Sequence, residues 1–144
     1  MVVEHGPEAT AHARAEYHSG SHGWRELCLA AVRTHLGIDR RYGSAHEAWE
    51  KAYQRTVYRP GHEDSIPYAA PVFSDRKTGT EWGHVFLAGG RFSSGRRIFW
   101  TNDQFGDGRI TPVTLDFFTD HWGHIILGWS RDLNGVGIPY LEGK

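Results

Sequence analysis

The stretch Gly23-Trp24-Arg25-Glu26-Leu27-Cys28-Leu29-Ala30-Ala31-Val32 holds the only cysteine of the chain. Trp24, Leu27, Cys28, Ala31 and Val32 fall at i, i+3, i+4, i+7 and i+8, which is one apolar stripe of an amphipathic helix. That helix is expected to begin near Arg25 or Glu26, to run to His35 or Leu36 and to stop at Gly37. Cys28 then reads in two ways. Free cysteine is among the most buried residue types, so it fits a small core residue. Early on a helix, with the peptide dipole and a histidine beside it, it also fits a nucleophile.

Outward from this stretch, the chain divides into a helical half and a strand half. Residues 1–20 read as a polar lead-in, with a short helix at Pro7–Tyr17 and Pro in its first turn. Ser44 with Glu47 three residues on makes a capping box, so a second helix is expected from Ala45 to about Val57, with Ala48, Trp49, Ala52 and Tyr53 inward. Gly61–Pro67 reads as a polar loop. Short strands are then expected at Pro71–Phe73, Trp82–Ala88, Arg97–Thr101, Ile110–Leu115 and His124–Trp129. Asp75–Gly79, Ser93–Gly95, Gly106–Gly108 and Asn134–Gly135 supply the turns between and after them. Helices followed by an antiparallel meander define an α+β fold, as one domain over residues 21–144.

Composition narrows the function. A chain of 144 residues with a formal charge of −1 gives no general attraction to nucleic acid or to a membrane surface. Six Trp, six Tyr, seven Phe and 18 Gly suit a compact, turn-rich domain rather than a disordered one. One cysteine excludes an internal disulfide. The polar N-terminus has no apolar signal segment, and no stretch is apolar enough for a membrane span, so synthesis in the cytoplasm without a signal peptide is expected.

A cysteine nucleophile needs a base, a group that orients the base, and donors for an oxyanion. His84, in the strand Gly83-His84-Val85-Phe86-Leu87, is the candidate base. The next strand ends in Trp100-Thr101-Asn102-Asp103, where Asn102 or Asp103 can stand beside a histidine near the start of the preceding strand. Strand alternation leaves both open, because the two side chains point opposite ways. The first N–H groups of the Cys28 helix are candidate oxyanion donors. Trp24 and Trp100 are expected to border the cleft and touch substrate. Metal binding is not expected: His18 and His22 are separated by loop residues, His121 and His124 lie beside Trp122, and Asp132-Leu133-Asn134-Gly135 lacks the rest of a calcium loop. No cofactor is implied.

These residues together resemble a family. The Cys28 helix, Gly43-Ser44-Ala45 leading to Ala48-Trp49, Ala70-Pro71-Val72-Phe73 ahead of Gly83-His84-Val85, and Trp100-Thr101-Asn102-Asp103 followed by Gly108 and Ile110 resemble CHAP-type cysteine amidohydrolase/peptidase domains, from Gly23 to Trp129. The nearest pattern is that of lysins of actinobacterial phages. The resemblance implies a papain-like fold, with N-terminal helices on an antiparallel sheet, and peptidoglycan as substrate. It implies Cys28 as nucleophile, His84 as general base, and Asp103 in preference to Asn102 as the third residue. It also implies a protein made in the host cytoplasm that acts at the cell wall, by itself or within a larger phage assembly. The alternative is a non-catalytic module of the same fold that binds the cell wall or a phage structural protein.

Overall fold

The computed structural model describes residues 2–20, 23–76, 82–104 and 106–141. Three helices, α1 (Gly6–Ser19), α2 (Cys28–Leu36) and α3 (Ala45–Lys51), precede strands β1 (Arg55–Val57), β2 (Pro71–Arg76), β3 (His84–Arg91), β4 (Arg97–Asn102), β5 (Ile110–Val113) and β6 (His124–Ser130). A hairpin of β7 (Asp132–Leu133) and β8 (Val136–Gly137) follows. The six strands form one antiparallel sheet in the order β1-β6-β2-β3-β4-β5. The α+β class expected from the sequence is therefore the one observed.

The central strands are buried along most of their length because both sheet faces are covered. Residues His84 to Gly89 of β3 are all buried, as antiparallel strands with only one packed face are not. On one face, α1 and α2 pack against β3, β4 and β5. On the other, the π-helical turn Phe117–His121 brings Phe118 onto Phe86, with stacked rings 3.8 Å apart. Gly89 lets the Trp100 side chain of the neighbouring strand β4 lie close against β3, since a Cβ there would meet Trp100 Nε1 at 2.9 Å. Strand β3 runs on through Gly89 and Gly90 to Arg91, three residues past the end expected for it, with the β3–β4 register shifting between Ala88 and Arg91.

Two other expectations are corrected. The lead-in is part of the core: Ala9 and Ala13 of α1 are completely buried, and Val3 N–H bonds the Leu36 carbonyl at 2.9 Å. Its inward residues are alanines, which carry little apolar signal in a sequence. The second helix stops at Lys51 rather than near Val57, and the residues beyond it turn extended to form β1. The completely buried Asp132 carboxylate accepts the N–H groups of Tyr53 at 3.2 Å and Gln54 at 2.9 Å. Those groups are thereby taken from the helix ladder, and Thr56 and Val57 favour the extended state. The capping box forms as expected at the Ser44 end, where Ser44 Oγ accepts from Glu47 N at 3.1 Å. Glu47 in turn accepts from Gly43 N at 3.0 Å. No helix of the described residues is long and apolar enough to cross a membrane. The turn read at Asp75–Gly79 begins as strand, with Asp75 and Arg76 in β2, and its remainder lies outside the described residues.

Candidate active site

Cys28 is the first residue of α2, so the helix begins two or three residues later than its apolar stripe alone suggests. Leu27 is the N-cap and offers no side-chain acceptor, which leaves the N–H groups of the first turn without a side-chain cap. The helix ends as expected, with Gly37 left-handed at φ 71° and its N–H turned back to Arg33 and Thr34.

The loop before Cys28 is fixed from the far end of β4. Asn102 Nδ2 donates to the Trp24 carbonyl at 2.6 Å, and Trp24 N donates to the Gly108 carbonyl at 3.1 Å. Asp103 Oδ2 accepts the Glu26 N–H at 2.5 Å, and Asp103 Oδ1 accepts the Gly108 N–H at 2.8 Å. Glu26 and Asp103 are both left-handed, at φ 59° and 60°, a conformation costly for residues with a Cβ unless the surroundings hold it. Trp24 is tied at its other side by its indole N–H to the Glu16 carboxylate, which also meets His35 Nε2 at 3.1 Å. Thus Asn102 and Asp103 position the Cys28 loop.

His84 opens β3, and its side chain enters an aromatic box of Phe86, Phe118 and Trp122, with ring centroids 5.8, 5.7 and 4.8 Å away. His84 Nε2 lies 2.8 Å from Thr101 Oγ1. Thr101 Oγ1 donates its own hydrogen to the Asn102 carbonyl at 3.0 Å, so the hydroxyl accepts from His84. This network assigns the proton to Nε2 and leaves the lone pair on Nδ1. The residue on the far nitrogen of His84 is therefore Thr101, which sequence reasoning missed; neither Asn102 nor Asp103 holds that place. The available signal was that Thr101 precedes the two polar candidates by one position on the same strand end.

Cys28 and His84 border one groove of about 900 Å³, with Trp24, Asn102, Asp103, Trp82 and Trp122 also in its wall. Among the described residues no hydrogen bond joins the Cys28 sulfur to the His84 ring. Desolvation pushes the Cys28 thiol up to about 11, opposed by the N–H groups of Val85 and Leu29 at the sulfur and reinforced by the Asp103 charge. Although the residue as a whole is half-buried, its sulfur sits against the sheet, and desolvation outweighs the helix start. Burial likewise lowers His84 to about 3, with a further contribution from His124, whose ring is 6.5 Å away. At rest both groups are neutral.

Trp24 lines the groove as expected. Trp100 does not: it is 5% exposed and packs toward Tyr17 of α1 at 6.0 Å, while Thr101 points to the opposite face. Alternation along β4 separates the two. Of the rejected metal pairs, His22 lies outside the described residues. Asp132 is occupied by backbone N–H groups and Ser130 Oγ. Among the described residues no group of three His, Cys, Asp or Glu side chains is arranged to hold a metal ion. No family model, no curated protein and no solved structure matches the chain.

Proposed function

We propose that this protein is a cysteine-dependent amidohydrolase or peptidase of papain-like, CHAP-type architecture that cuts an amide bond of peptidoglycan, as phage lysins do. The observation that carries the reading is the shared groove. A thiol at the first residue of a helix and an imidazole with an oriented tautomer face the same 900 Å³ of space. The proton of Cys28 passes to His84 Nδ1 as sulfur adds to the amide carbonyl. The N–H groups at the start of α2 stabilise the oxyanion. His84 returns the proton to the leaving amine, and the C–N bond breaks to give a thioester. Water, deprotonated by His84, then releases the acid and frees the thiol.

The neutral resting state fits this order of events. Separately, a thiolate or an imidazolium is costly in these surroundings, whereas the single proton transfer creates two opposite charges that offset each other's desolvation. The same neutrality favours a second reading, a non-catalytic module of this fold that binds the cell wall or a phage structural protein. Incubation with purified cell walls, followed by mass analysis of the soluble fragments, separates the two. New amine and carboxyl ends support hydrolysis; wall binding without fragments supports the module.

A further inference from the structure

We propose that the groove at Cys28 selects a substrate carboxylate through Arg33 and Arg40, so that the amide cut belongs to an acidic peptide. The catalytic consequence rests on the hydrolase reading above; the binding step does not. Charge in the groove wall is divided along α2. Arg33, on the helix, and Arg40, in the loop that follows it, line the groove beyond Cys28, whereas Glu26 and Asp103 line it at the helix start. Asp103 is engaged by three donors, from Glu26, Asn102 and Gly108, and so is spoken for on its own side.

Among the described residues neither Arg33 nor Arg40 forms an ion pair. The hydrogen bond Arg33 does make is a long one, from Nη1 to the Ile38 carbonyl at 3.4 Å. That leaves most of its donor fork for a ligand. Arg33 lies five residues after Cys28, about 7.5 Å further along the helix axis and about 140° around it, and its side chain still lines the same groove. A guanidinium takes a carboxylate through two parallel N–H···O bonds, and a groove that limits water strengthens them. Leu27 and Trp82 supply exposed apolar wall for the uncharged part of the ligand, at 49% and 68% exposure.

The test uses Cys28→Ala protein, which binds without cutting, and a soluble peptidoglycan stem-peptide fragment. One sample of the fragment keeps its free carboxylates; in the other they are converted to carboxamides. Calorimetry is expected to show the free acid bound about tenfold tighter or more, the scale of a charge-assisted pair. The preference is expected to fall to about onefold in Arg33→Gln/Arg40→Gln and to an intermediate value in Arg40→Gln, whose exposed loop position keeps the fold secure. Equal binding of the two fragments, a preference that survives in the folded double variant, or binding of neither overturns the proposal. An acid preference in a wild-type protein that never cuts walls overturns the hydrolase reading alone, and cutting without acid preference overturns the carboxylate site alone.

Discussion

His46 and His84 flank the same backbone turn and are built in opposite ways. The His46 N–H bonds the Trp82 carbonyl at 2.8 Å, and Gly83 packs against His46. Both ring nitrogens of His46 meet carboxylates, Nε2 at Glu50 (2.6 Å) and Nδ1 at Asp75 (3.2 Å). Its groove, about 440 Å³ with Trp49, Arg55 and Arg76 in the wall, has no Ser, Thr or Cys among the described lining residues. His84 has a single hydroxyl on Nε2, an unengaged Nδ1 among the described residues, and a thiol across the groove. A histidine held by two carboxylates resembles a catalytic base more closely on paper. Yet both of its ring nitrogens are already engaged, and no thiol or hydroxyl stands among the described residues of its groove. The proposed mechanism rests on the open nitrogen and the neighbouring thiol rather than on the number of charged partners.

That contrast can be broken first at Cys28. Cys28→Ser is expected to fold normally, by circular dichroism, and to lose wall hydrolysis entirely, because a serine hydroxyl is much harder to deprotonate. Next in size, His84→Gln is expected to lose about 10²–10⁴ in turnover, the contribution of a general base. The same variant reports on burial. Above about pH 6.5 an unfolded imidazole is neutral, as the folded one is; below that the unfolded chain binds a proton that folded His84 refuses down to about 3. Stability therefore falls as pH drops through this window, and His35 and His124, also lowered by burial, act in the same direction. The loss of Tm between pH 7 and pH 5 is expected to be smaller in His84→Gln than in the wild type; an unchanged loss would remove His84 from the explanation.

Smaller effects sharpen the division of labour at the end of β4. Thr101→Val is expected to lower turnover about tenfold, as a hydrogen bond to the base is lost. Asp103→Asn removes the charge that raises the Cys28 thiol, so alkylation of Cys28 at a fixed pH is expected to speed up even as the loop loosens. Slower alkylation, with a rate loss exceeding that of Thr101→Val, would return Asp103 to the role of orienting His84. Smallest of all, His46→Ala is expected to change turnover by about twofold or less, the scale of a change outside the reacting groups. A loss as large as that of His84→Gln would reverse the comparison between the two histidines.

Local signals in this chain were legible, and features set by distant partners were not. The apolar stripe around Cys28, the left-handed stop at Gly37 and the Ser44 cap are written in neighbouring residues, and each appears where the sequence puts it or within a few positions. The early end of α3 depends on Asp132, about eighty residues away, whose carboxylate captures two backbone N–H groups. Helix α1 stands where the sequence puts it, within two residues at each end, but its place in the core was hidden because its buried face is largely alanine. Within Trp100-Thr101-Asn102-Asp103, the side chain that meets His84 is decided by strand register and pleat, which composition does not encode. The most conspicuous polar residues there went to the Cys28 loop instead.

The proposed mechanism requires a thioester on Cys28. Wild-type protein mixed with a soluble peptidoglycan fragment, acid-quenched within the first turnover and analysed by intact mass and peptide mapping, is expected to carry the acyl half of the fragment on Cys28 and on no other residue. His84→Gln is expected to accumulate less of it. Fragment cleavage with no acyl group ever found on Cys28, or cleavage that persists in Cys28→Ser, would contradict the assignment of Cys28 as the nucleophile.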